Sequence, residues 1–181
     1  FELIIRGPGG HSARPEQSAD TVLMASHFIV LLQSMVSRKY SPGKWPLISV
    51  GTISGGTAHN IIPNEVKVIG TVRSFSDGGK TVKEQMYSIL DSLTTLFGGE
   101  YTVNYTFGYP STSNDPDVSE LVRTIARRND RFPLVETNLD KSYVSEDFGY
   151  FSAALPSCYF IFGVGKREGE AQRQLLTGRY V

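Results

Sequence analysis

Three polar residues stand in settings where their chemistry could be used. His11 lies in Gly7-Pro8-Gly9-Gly10-His11-Ser12-Ala13-Arg14-Pro15, directly after a short apolar stretch. Imidazole is the side chain whose charge changes nearest neutral pH. The segment is not a dinucleotide fingerprint, because Ser12 stands where the third Gly belongs, and it lacks the Gly-Lys-Ser/Thr ending of a phosphate loop. Read alone, it is also a plain glycine turn that holds a His. Asn60 lies in Gly55-Gly56-Thr57-Ala58-His59-Asn60-Ile61-Ile62-Pro63, a polar loop in an apolar context. This segment reads either as a ligand site or as a hairpin turn. Arg73 closes Gly70-Thr71-Val72-Arg73-Ser74-Phe75. A guanidinium suits bidentate capture of a carboxylate or phosphate, and a surface Arg is the alternative.

No metal constellation or nucleophile accompanies them. The His residues are His11, His27 and His59, and Cys158 is the single cysteine. Structural or catalytic zinc needs three or four convergent protein ligands. No metal ligand is therefore assigned within this chain, and no Ser-His-Asp arrangement is visible. His27 falls mid-helix and reads as structural.

The elements that must position these residues follow from periodicity. Phe1 to Arg6 reads as a strand stopped by Gly and Pro. Residues 19–38 place Val22, Met24, Ala25, Phe28, Ile29, Leu31, Leu32, Met35 and Val36 on one broad helical face. A strand over 46–53 follows. In the next strand, 65–75, Val66, Val68, Gly70 and Val72 face one way, and Lys67, Ile69, Thr71 and Arg73 the other. A second amphipathic helix spans 81–97 and ends at Gly98-Gly99, as a glycine cap would end it. A fourth strand alternates over 101–107. This order, β-α-β-β-α-β, is the ferredoxin-like split arrangement and predicts an α+β fold.

After a Pro-, Ser- and Asn-rich linker at 109–116 the pattern changes. Residues 117–131 read as a helix whose Arg123, Arg127 and Arg128 form a solvated stripe. A short strand is expected at 133–136. Ser145 is the expected N-cap of a helix ending near Ala154, and Tyr159 to Val164 the expected buried strand. One or two strands and two helices are too little for an independent α/β unit. We expect two parts, a ferredoxin-like domain at 1–108 and, at 109–181, an incomplete α/β segment that completes a sheet formed elsewhere.

Composition bounds the rest. The 181 residues are 40% hydrophobic and 20% charged, with 18 basic and 18 acidic side chains. A nucleic-acid partner would want a basic excess, and there is none. The longest apolar runs fall far short of the ~20 residues of a membrane helix, so no membrane role is expected. The start at Phe1 reads as a strand already under way inside a longer protein, and it has no signal-peptide features. A lone Cys excludes an internal disulfide. A cytoplasmic location is expected.

Taken together, the segments resemble the dimerisation (lid) domain of the aminoacylase, carboxypeptidase G and amino-acid-conjugate amidohydrolase family of metallopeptidases. The match runs through Gly9 to Pro15, Gly51 to Ala58, Asn60 to Pro63 and Gly70 to Phe75, in the family's order. It continues through Tyr109-Pro110, Ser145-Glu146-Asp147-Phe148 and the run Phe160 to Gly165. The resemblance implies a two-domain enzyme that cleaves an amide or peptide bond next to a free carboxylate in a small N-acyl amino acid or peptide substrate. It implies a homodimer formed through the lid, and a pair of divalent metal ions, zinc by expectation, in the intact parent enzyme. The residue matching His11 would reach the other subunit's site and stabilise an oxyanion. Those matching Asn60 and Arg73 would hold substrate polar groups and carboxylate. We expect the three to form one polar site on the lid. The Gly-His-x-Asp ligand segment of the family is not among these residues, and Leu176 stands where the family has a metal-binding His. By this resemblance the chain alone does not hydrolyse substrate. The competing expectations are a catalytically inactive dimerisation or binding module that keeps only the lid, and a ferredoxin-like regulatory domain that binds amino acids.

Overall fold

The fold is described from a computed structural model that covers residues 1–75, 77, 79–129 and 140–161. In chain order the elements are β1 (Glu2–Arg6), β2 (Gly10–His11), α1 (Thr21–Lys39), β3 (Leu47–Gly55), β4 (Ile61–Ile62) and β5 (Glu65–Arg73). They continue with α2 (Lys80–Phe97), β6 (Glu100–Asn104), α3 (Pro116–Arg127) and α4 (Gly149–Ala154). The main sheet is antiparallel with order β3-β5-β1-β6. Setting aside the small β2-β4 ladder, this is the predicted β-α-β-β-α-β order.

One face of that sheet is apolar and both long helices cover it. Leu3, Ile5, Ile48, Val66 and Val68 from the strands meet Met24, Ala25, Phe28, Leu32 and Met35 of α1 and Val82, Met86, Leu90 and Leu93 of α2. The period-two alternation of β5 puts Val66, Val68 and Gly70 under the helices, as read from the sequence. Gly70 must lack a side chain, since a Cβ there would meet the Ser49 carbonyl oxygen at 2.4 Å and the Phe1 ring at 2.6 Å. The open face carries the ion pairs Lys67–Glu2 and Arg6–Glu65.

The inner stripe of α1 is narrower than periodicity alone suggested. Val22 and Leu31 are exposed, because the sheet and α2 cover only the stripe through Met24, Phe28 and Leu32. By length and composition α1 could also cross a membrane, contrary to the expectation above. Its apolarity has a sufficient cause in this packing. Asp20 caps it, accepting from the Leu23 amide at 2.9 Å, and Arg38 and Lys39 close it.

The second half departs further from expectation. Asp115, not a residue at 117, caps α3 by accepting from the Asp117 and Val118 amides. Ser145 is not a helix cap: α4 starts at Gly149, and the Ser145 hydroxyl is turned toward Arg73. No strand forms at residues 159–161. The Asn114 side-chain amide instead brackets Tyr159, donating to its carbonyl and accepting from its amide, both at 2.8 Å. An apolar run becomes a strand only when neighbouring backbone pairs with it. The helix expected over 117–131 ends at Arg127, with Arg128 as its cap. The expected strand at 133–136, residues 162–164 of the expected strand at 159–164, and Leu176 lie outside the described residues.

The start of α2 supplies a test. Gly79, at φ 85°, is the cap residue and has no side chain to offer. Asp77 substitutes for it, accepting from the Gly79 amide at 2.9 Å and the Thr81 amide at 2.7 Å. Desolvation pushes the Asp77 carboxyl up, but bonds from Thr81 and Gly79 outweigh it and hold the group at about 2 rather than 3.8. A depressed folded-state pKa contributes stability above pH 3.8 that fades as pH falls toward about 2. Asp77→Ala should therefore cost about 1 kcal/mol near neutral pH. In denaturant titrations, its gap from wild type should close near pH 2.

Candidate functional site

His11 and Asn60 are brought together by the small ladder. Gly10 pairs with Ile62 and His11 with Ile61, so the glycine turn and the 55–63 loop form one two-stranded projection beyond the end of β1 and β5. The Ser12 amide donates to the Asn60 carbonyl at 3.0 Å, and the Gly7 amide to the Asn64 carbonyl at 3.0 Å. The buried Thr21 hydroxyl donates to the Pro63 carbonyl at 2.7 Å and ties this projection to α1. Gly9 allows the close approach: a Cβ there would meet the Ile62 carbonyl oxygen at 2.7 Å and the Asn64 nitrogen at 3.0 Å.

The imidazole is exposed but oriented. Its Nδ1 accepts from the Ala13 amide at 3.1 Å. In the neutral ring this leaves Nε2 as the N–H donor. The Asn60 side-chain amide makes no hydrogen bond among the described residues, so its donors and acceptor are available. A shallow open cavity of about 410 Å³ lies beside the pair, lined by Gly9, Gly10, Gly56, Thr57, Ile61 and Glu65 among others. His59 is exposed in the same loop, and His27 stacks on Phe97 at 5.5 Å on the helical side.

Arg73 does not join them. It ends β5, whose first residue, Glu65, adjoins the His11–Asn60 projection. Eight residue steps at ~3.3 Å separate the two ends by ~26 Å. Within one chain the three residues are therefore two sites at opposite ends of the sheet, which corrects the expectation of a single one. Arg73 Nη1 donates to the Tyr143 carbonyl and the Ser145 hydroxyl, each at 2.8 Å. Phe75 packs on Tyr143 with ring centroids 4.7 Å apart, and the Tyr143 hydroxyl donates to the Trp45 carbonyl at 2.8 Å. The 143–145 segment thus docks on the end of the sheet where Arg73 emerges.

Tyr143 and Ser145 were missed in the sequence as partners of Arg73. Ser145 preceded two acids and passed for a helix cap; only its approach to β5 reveals another role. The acids themselves interact. The Asp147 side chain, and then the Tyr159 hydroxyl at 3.0 Å, hold Glu146 below its ordinary carboxylate range, and the same contact pushes Asp147 up. Among the described residues no three His, Cys, Asp or Glu side chains converge as a metal site would require. The described part of this chain does not fit a metal pair by itself.

Comparison with known proteins defines the class. Residues 1–99 match the peptidase dimerisation domain, and the chain belongs to that family. It is 33% identical over 164 residues to an N-acetyl-L-cysteine deacetylase of Bacillus subtilis, covering 90% of this chain and 39% of that one. A structure from methicillin-resistant Staphylococcus aureus, assigned as an aminohydrolase, superposes with a TM-score of 0.74. It is 29% identical, covering 86% of this chain and 40% of that one. The fold is also that of a Bacillus subtilis protein described as a dinuclear metal-binding peptidase, at TM-score 0.64 and 22% identity, with coverage of 86% and 37%. The chain spans less than half the length of the curated relatives it matches.

Gly9→Ala tests the projection. The added methyl must push the two backbones apart, at a cost of about 1–3 kcal/mol. Hydrogen exchange at the Ser12 amide, whose acceptor is the Asn60 carbonyl, should quicken more than exchange in β1 or β5.

Proposed function

We propose that this chain is the lid, with part of the C-terminal catalytic segment, of a dimeric metal-dependent amidohydrolase acting on N-acyl amino acids or small peptide-like substrates. The observation that carries the reading is the peptidase dimerisation match over residues 1–99, on a lid that projects an oriented His and an Asn whose side chain makes no hydrogen bond among the described residues. The deacetylase relative supports the N-acyl substrate class. We take the domains to divide at 1–108 and 109–181, and the protein to be cytoplasmic. Two divalent metal ions, zinc in our reading, would be held by residues outside those described here, and the dinuclear peptidase of the same fold supports the pair.

The geometry suggests how two copies share the work. His11 and Asn60 project from one end of the sheet, while Arg73 lies ~26 Å away against its own chain's 143–145 segment. We assign His11 and Asn60 to the partner's site and Arg73 to its own chain's site. His11 Nε2–H would donate to the oxyanion that develops on the attacked carbonyl, and Arg73 would hold the substrate carboxylate. Support for a homodimer comes from edge strand β3, with Ile53 exposed, and from the apolar outer side of α1, where Val30 is 62% exposed.

Kinetics of the enzyme that carries this chain separate the roles. His11→Ala should lower kcat by about 100- to 1,000-fold with little change in KM, as for a donor used in the transition state. Arg73→Ala should mainly raise KM for carboxylate substrates, and Lys should rescue it only in part.

Mixing the two variants tests the assignment across the interface. In a mixed dimer one site receives an intact Arg73 from its own chain and an intact His11 from the partner. Random exchange makes half the dimers mixed, so about a quarter of wild-type activity should return at low substrate concentration. Absence of recovery after proven exchange would mean that one chain supplies both residues of a site and would sink the assignment.

A further inference from the structure

We propose that Ser145, with the Tyr143 carbonyl, is a positioning element for Arg73 that turns one edge of its guanidinium toward a carboxylate. The proposal rests on the reading of Arg73 as the carboxylate anchor. Both Tyr143 and Ser145 spend their bond on the same nitrogen, Nη1, at 2.8 Å each. Among the described residues, Nη2 and Nε carry no hydrogen bond or ion pair. A guanidinium presents its donors in a rigid planar fork, so fixing Nη1 at two acceptors fixes the plane and direction of the Nη2–Nε edge. That edge has the spacing of two carboxylate oxygens.

Both acceptors are neutral. A carboxylate partner in their place would neutralise Arg73 and compete with an anionic ligand, whereas a hydroxyl and a carbonyl orient the cation and leave its charge unspent. The segment that carries them is itself held to the lid. The Tyr143 hydroxyl reaches the Trp45 carbonyl at 2.8 Å, its ring packs on Phe75, and the Lys141 ammonium lies 5.6 Å from the Phe75 ring centre. The bracket is thus built from three places distant in sequence, at Trp45, Arg73 to Phe75, and Tyr143 to Ser145.

The test uses the 181-residue chain and the nitrogen resonances of its arginine side chains. Arg73 should show slowed rotation about its Nε–Cζ bond compared with the exposed Arg14, and Ser145→Ala should restore fast rotation. Titration with N-acetylmethionine should shift the Arg73 Nε–H resonance, while N-acetylmethioninamide, which lacks the carboxylate, should not. Ser145→Ala should weaken the N-acetylmethionine response about 3- to 10-fold, the scale of one lost hydrogen bond, and Ser145→Thr should recover it. Ser145 is exposed, so neither variant should alter thermal unfolding appreciably. If Arg73 does not respond to N-acetylmethionine in the wild-type chain, the carboxylate-anchor reading falls and the proposal with it. If it responds equally in wild type and Ser145→Ala, only the positioning role is overturned. Rotation as fast as that of Arg14 in the wild-type chain overturns it too.

Discussion

Burial of Val66, Val68 and Gly70 beneath α1 and α2 holds β5 across the middle of the sheet. The strand is paired on both sides, with β1 at its first half and β3 along nearly all of its length. A slip of one residue would turn Lys67, Ile69 and Thr71 into the helices, so the register is strongly specified. Because β5 cannot shift, its two ends are fixed points. One end anchors the projection that carries His11 and Asn60, and the other presents Arg73.

The two ends are built in different ways. At the projection, main-chain bonds between glycine-rich turns do the positioning, with the Thr21 hydroxyl as the tie to the core. Glycine is needed there because two backbones meet closer than a Cβ permits. Backbone ladders of this kind leave side chains outward and unengaged, which suits groups meant for another subunit's site. At the far end, side chains do the work: Arg73, Tyr143, Ser145 and Phe75 interlock across distant sequence positions. Such an arrangement suits a cation that must be held in one orientation for a ligand of its own chain. The proposed dimer, in which each site draws on both ends, answers this division, since the two ends of one lid lie ~26 Å apart.

Much of the lid was legible before any coordinates. Alternation in 65–73 and the three- and four-residue spacing in α1 and α2 reflect burial against a common sheet, and burial leaves a periodic trace. Glycines at 98 and 99 marked the end of α2 because they adopt positive φ there, at 79° and 84°. The second half left a weaker trace. Tyr159 to Val164 is apolar enough for a strand, yet residues 159–161 have no neighbouring strand among the described residues, and Tyr159 is held by Asn114 instead.

The sequence by itself determined the family, the β-α-β-β-α-β order and the identity of His11, Asn60 and Arg73 as the residues to watch, because residue type and local periodicity are properties of the chain alone. Only the tertiary structure decided which of them lie near one another. His11 and Asn60 are 49 residues apart and meet through a two-residue ladder, whereas Asn60 and Arg73 are 13 apart and lie at opposite ends of a strand. Sequence separation carries no information on that point; the extended geometry of β5 and the pairing of β2 with β4 do. Ser145 shows the same limit, since its bond to Arg73 spans 72 positions and depends on a docking that no local pattern records.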